Sequence, residues 1–193
     1  MTEGRRAATD AVARDGEEFT FQNAGQHWTI SYHPATLPVP DGRNHGSTAF
    51  CFTPEGRMVL VSKDGRAWEP PAGRPEADEG WRETLDREVM EEACARVEDG
   101  VLLGYSKGLC TYGHEAGLVL IRSLWWARVA LLPWEPQDVM TYRLQLRPAD
   151  VMSRIAIAPL VPTFGETEMS AGLAAIFRRF LKDALAIEMA RFP

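Results

Sequence analysis

Between Gly80 and Ala93 the chain reads GWRETLDREVMEEA, a stretch without proline that carries carboxylates at Glu88, Glu91 and Glu92. A helix turns about 100° per residue, so these three side chains fall on one arc, beside an apolar stripe of Leu85, Val89 and Ala93. Like charges three and four residues apart weaken a helix by a few tenths of a kcal/mol per pair. Taken alone, an acidic helix face is most often simply solvated. Here the neighbouring stripe must be buried, which brings the carboxylates close to the protein body, where water screens them less. A hard divalent cation such as Mg²⁺ or Mn²⁺ relieves such a cluster, because these ions favour oxygen ligands.

Strand signals surround this helix. EFTFQNAGQHWTISYHP alternates Phe19 and Phe21 with a turn at Asn23-Ala24-Gly25, then Trp28, Ile30 and Tyr32, and predicts a β-hairpin. The proline- and glycine-marked PATLPVPDGRNHG is a connector and the best boundary in the chain. STAFCFTPEGRMVLVSKDGRAWEPP predicts two strands around Pro54-Glu55-Gly56; GVLLGYSKGLC, LVLIRSLWWARVAL and the shorter YRLQLRP predict three more. AGLAAIFRRFLKDALAIEMARF repeats apolar residues at helical spacing and predicts a terminal helix. The expected organisation is a polar tail over 1–16, a hairpin and connector over 17–45, and one layered α/β domain over 46–193.

Charge and cysteine usage narrow the classes. A formal net charge of -6 argues against broad binding to a nucleic-acid backbone, which needs a basic surface. It leaves room for a small phosphorylated substrate, since a bound cation reverses the local sign. Apolar runs are too short to cross a bilayer, and the N-terminus lacks the apolar centre of a signal peptide, so no membrane association is expected. Cys51, Cys94 and Cys110 lack the pattern of a disulfide framework or zinc site and read as reduced thiols of a cytoplasmic protein.

The acidic helix belongs to a longer pattern: Gly73, five residues, Glu79, seven residues, Arg87-Glu88-Val89, one residue, Glu91-Glu92. This resembles the Nudix box, G-x5-E-x7-R-E-U-x-E-E-x-G-U, in which U is a bulky aliphatic residue. The resemblance covers about residues 46 to 185 and implies an α/β/α sandwich with a mixed sheet, to which the N-terminal hairpin is added. It also implies a Mg²⁺-dependent (or Mn²⁺-dependent) hydrolase that cleaves the diphosphate linkage of a nucleoside diphosphate derivative. Sugar-linked substrates such as ADP-ribose and nucleoside triphosphates both remain open. Carried over residue by residue, Glu88, Glu91 and Glu92 become metal ligands with the Gly73 carbonyl as a fourth, while Arg87 and Glu79 pair to hold loop and helix together. The general base is Glu88 in some branches of the family and a glutamate from a later loop in others. Glu135, in LPWEPQD, is the preferred auxiliary ligand; Glu115, Glu166 and Glu168 are further acidic loop candidates.

The pattern breaks at its end. Cys94 stands where the family has glycine, Ala95 where it has a larger aliphatic residue, and Ala72 where a glycine is frequent. If the helix ends with φ > 0, Cys94 carries a conformation that costs a non-glycine residue on the order of 1 kcal/mol. No metal-facing carboxylate is lost. Such domains that have gone catalytically silent and serve as nucleotide sensors usually lose these carboxylates, which favours an enzyme. Substrate contacts are less legible: Arg66, His114 and Glu115 are candidates, and Trp68, Trp81, Trp125, Trp126 and Trp134 could stack a base or fill the core. On a strand Trp125 and Trp126 must face opposite sides. The hairpin's alternating apolar face needs cover from its own domain or from a second copy, so a homodimer is a further expectation.

Overall fold

The computed structural model describes residues 11–135, 139–155 and 170–191, so Glu166, Glu168 and the first ten residues of the tail lie outside them. In chain order the elements are β1 (Glu18–Asn23), β2 (Gln26–Pro34), β3 (Arg43–Phe52), β4 (Met58–Ser62), β5 (Ala72–Gly73) and α1 (Trp81–Ala93). There follow β6 (Ala95–Tyr112), β7 (Val119–Leu131), β8 (Tyr142–Leu146), the short α2 (Pro148–Val151) and α3 (Ala171–Arg191). The strands form one sheet in the order β1-β2-β6-β7-β3-β4-β8, with β5 paired to β3. Among the named strands of the described residues β3 and β7 pair in parallel and the other pairs are antiparallel, so the sheet is mixed.

Each face of the sheet carries a helix, and the central strands supply both cores. Along β3, Ala49 and Cys51 join Leu85, Val89 and Ala93 of α1, while Phe50 and Phe52 join Phe177 and Phe180 of α3. From His45 to Phe52 residues facing either way are buried, so the second half of β3, Ala49 to Phe52, is continuously apolar rather than alternating. Trp125 and Trp126 divide as the pleat demands: Trp125 packs at the α1 side, and Trp126 is fully buried at the α3 side. This is the α/β/α sandwich expected from the sequence.

The hairpin is present, and Ala24 and Gly25 both have positive φ (48° and 75°), the geometry of a two-residue type I′ turn. Its cover comes from the same chain. β2 pairs with β6 from His27–Tyr112 to Pro34–Gly104, extending the domain's own sheet. The Tyr32 ring meets Phe180 of α3 edge-on at 4.7 Å, and its hydroxyl donates to Asp183 Oδ2 at 2.9 Å. Of the two covers expected for this apolar face, the chain's own domain supplies one: α3 buries Ile30 and Tyr32. Strand β5 and helix α2 were not expected, because two- and four-residue elements are too short to show a period. No helix among the described residues is long and apolar enough to cross a membrane.

Candidate functional site

The acidic helix starts at Gly80, whose N–H is accepted by the Glu83 carboxylate at 2.8 Å, and ends at Cys94. Cys94 adopts φ 45° and ψ 55°, a left-handed cap whose N–H donates to the Val89 carbonyl. The sequence gap at this position is thus real backbone strain carried by a non-glycine residue. Arg143, reaching in from β8, donates to the carbonyls of Ala93 and Cys94 at 2.8 and 3.0 Å. A cation on the last carbonyls complements the negative end of the helix, whose own last turn contains no basic residue.

The short strand β5 meets the glutamates. Glu92 is buried and accepts the Ala72 N–H at 2.8 Å. Glu88 is also buried and lies against Gly73 so closely that a Cβ there would stand 1.7 Å from its Oε1. A side chain at Gly73 would displace the Glu88 carboxylate from the place it holds against the backbone. Glu91 is the most exposed of the three, at 34% of its side chain. Burial pushes the Glu88 carboxyl up from its usual range, with the Arg87 charge opposing that shift.

Arg87 ties these parts together. It grips Glu79 through two hydrogen bonds of 2.8 and 3.0 Å, and donates from Nη1 to Glu88 at 3.0 Å and Glu91 at 2.9 Å. Its Nη2 also donates to the Arg74 carbonyl at 2.7 Å, so a single guanidinium joins the loop before the helix to three carboxylates. The bonds from Arg87, and then the Glu76 backbone, hold Glu79 well below the ordinary carboxylate range. Among the described residues no three His, Cys, Asp or Glu side chains stand gathered as a preformed metal cage. Glu88, Glu91 and Glu92 nevertheless supply anionic oxygens on one helical arc beside the Gly73 backbone. That donor set suits a hard divalent ion once Arg87 releases its share of Glu88 and Glu91.

The remaining sequence candidates are placed elsewhere. Glu135 lines a cavity of about 200 Å³ with Met90, Cys94, Leu132 and Pro133. Arg66 is exposed in a tight turn whose N–H groups at 66 and 67 are accepted by Asp64 Oδ1. His114 is exposed in the loop between β6 and β7. Glu115, beside it, accepts from Gln26 Nε2 at 2.8 Å, and its N–H donates to Gln26 Oε1 at 3.1 Å, fastening that loop to β2. Trp81 lies against Tyr105 with ring centres 4.9 Å apart, and Trp134 lies under Arg143 at 5.1 Å.

Sequence reading missed Arg122, a buried arginine in the middle of β7 that reaches the Gly73 carbonyl at 3.3 Å. Burial pushes its guanidinium down to about 10, with Glu88 acting against that shift, so it stays cationic at neutral pH. The available signal was a charged residue inside the otherwise apolar run LVLIRSLWWARVAL, since arginine is rarely buried unless compensated. Also missed were Ser47 and Ser123, whose hydroxyls lie 2.8 Å apart; Ser47 Oγ donates to the Trp81 carbonyl at 2.6 Å and joins the helix start to the sheet.

The family model described as the NUDIX domain matches residues 43–147. Among solved structures, the chain is similar to a pyrophosphohydrolase of Bacillus subtilis at 25% identity and a TM-score of 0.53, over 67% of this chain and 77% of that one. It is also similar to a NUDIX hydrolase of Nitrosomonas europaea at 18% identity and a TM-score of 0.52, over 75% and 90% of the two chains. Comparison with curated proteins gives no match.

Proposed function

The chain belongs to the NUDIX domain family, and from that premise we propose that it is a divalent-metal-dependent hydrolase of a diphosphate linkage in a small nucleoside diphosphate derivative. The observation that carries this reading is the complete carboxylate set of α1, with Glu88 and Glu92 buried against Ala72 and Gly73 of β5. The structural likeness to a pyrophosphohydrolase supports the same reaction class. Glu88, Glu91, Glu92 and the Gly73 carbonyl would hold Mg²⁺ or Mn²⁺, with Glu135 as an auxiliary ligand. Bound there, the ion would neutralise the diphosphate and lower the pKa of a water.

The chain's own groups supply the rest. Arg87 fixes the helix to the loop through Glu79, so that Gly73 and the glutamates keep their relative positions. Glu88, or a glutamate from a later loop, is the proposed group that takes the proton from an attacking water at its carboxylate oxygen. Arg66, His114 and Glu115 remain the proposed substrate contacts, and a homodimer in the cytoplasm remains the proposed setting. A silent nucleotide-binding domain is the second reading, and the hold of Arg87 on both Glu88 and Glu91 favours it.

A panel of nucleoside diphosphate derivatives and nucleoside triphosphates, incubated with Mg²⁺ or Mn²⁺ and resolved by product mass, separates the two readings. Glu92→Gln keeps the shape and an acceptor for the Ala72 N–H but removes the charge. We expect turnover to fall at least about 10²-fold with the fold intact. Wild-type turnover in that variant at saturating Mg²⁺ would refute the ligand assignment.

A further inference from the structure

Arg122 lies beneath β5, the short strand that faces the carboxylates, and its side chain is aimed toward them from within the sheet. Its Nη1 donates to the Ser47 carbonyl at 3.0 Å and to the Gly73 carbonyl at 3.3 Å, and its Nη2 to the His45 carbonyl at 3.1 Å. These acceptors are neutral. The residue is 5% exposed, and Nε makes no hydrogen bond among the described residues. A guanidinium taken this far out of water needs negative charge nearby, because carbonyls alone do not repay its lost hydration. The geometry shows where that charge is: Glu88 rests on Gly73, the residue whose carbonyl Arg122 holds, and Glu92 accepts from the adjoining Ala72.

We propose that Arg122 is the resident counter-cation of the carboxylate site, balancing Glu88 and Glu92 in the metal-free protein and setting how tightly a divalent ion is held there. The inference rests on the reading of Glu88, Glu91, Glu92 and Gly73 as metal ligands. Arg122 does not touch the reacting atoms; it acts through its charge, as a field at the ligands. Two consequences follow from Coulomb's law at short range in a weakly screened site. In the metal-free protein the positive charge lowers the mutual repulsion of the glutamates. In the metal-bound protein the same charge repels the ion, so affinity is moderated and the ion can exchange.

The test is Mn²⁺ binding to full-length, metal-free protein at pH 7.5, followed by the electron paramagnetic resonance signal of free Mn²⁺. The wild type is measured first: no Mn²⁺ binding there would remove the ligand reading itself, before any variant is compared. Given binding, Arg122→Met, which deletes the charge, is expected to tighten Kd at least about tenfold. Arg122→Lys keeps the charge but cannot bridge the same carbonyls, and its Kd is expected within about threefold of wild type. A purely structural arginine would give unchanged or weaker binding in Arg122→Met, and that result would overturn the proposal. Should Arg122→Met fail to fold by circular dichroism, Arg122→Lys decides alone. A Kd near wild type supports the charge role, and a loss of about tenfold or more refutes it.

Discussion

Replacing Glu188 with leucine should unlatch the terminal helix, and the structure supplies the size of the effect. Glu188, on α3, receives Arg128 Nη2 on one oxygen at 2.7 Å and Trp126 Nε1 on the other at 3.1 Å. The ion pair is nearly dry, with 7% and 11% of the two side chains exposed, so solvent screens it little. Deleting the carboxylate leaves a buried guanidinium and a buried indole N–H without this acceptor. Breaking one side of a buried pair costs about 3–5 kcal/mol. Arg128 keeps its bond to the Thr53 carbonyl, which places the expectation near the lower end, about 3 kcal/mol. For a chain of this size that is roughly 6–12 °C in Tm. Urea melts of Glu188→Leu followed by tryptophan fluorescence measure it directly, since Trp126 is one of the lost partners. The double variant Arg128→Met/Glu188→Leu removes both charges and should recover most of the loss. A single variant within about 1 kcal/mol of wild type, or a double variant no better than the single, would refute the account of α3 as clamped by this pair.

At Cys94, φ 45° should make glycine better than alanine: Cys94→Gly is expected to be about 0.5–1 kcal/mol more stable than Cys94→Ala in urea, since both lose the buried Sγ and only glycine relieves the backbone; an alanine variant of equal or greater stability would sink this. Burial first, and then the Arg122 charge, push His45 down to about 3, so between the ordinary histidine value and pH 3 the unfolded chain binds one proton more. Stability from this residue is present above pH 6.5 and lost as pH falls toward 3, by at most about 1.4 kcal/mol per unit. His45→Gln, which keeps an acceptor for Arg122, should flatten that slope in melts at stepped pH, and an unchanged slope would show that His45 is not its source.

What the sequence determined by itself was whatever depends on spacing along a few turns of chain. The helix from 81 to 93 was visible because an apolar stripe and a carboxylate arc share one period, whereas the Arg87–Glu79 pair was legible only through the resemblance to the Nudix box. The hairpin was legible from alternation and from a turn that needs two positive φ values. The exception at Cys94 could be located from the late glycine the pattern lacks, while only the structure decided that the backbone there is left-handed. Tertiary structure alone decided what lies opposite those elements. That α3 covers Ile30 and Tyr32 depends on a helix more than a hundred residues away. That Arg122 stands behind Gly73 depends on the parallel pairing of β3 with β7, which brings Ser47 beside Ser123. Periodicity reports which face of an element is buried; it carries no information about which distant charge meets it there, because that choice is made by strand order and register.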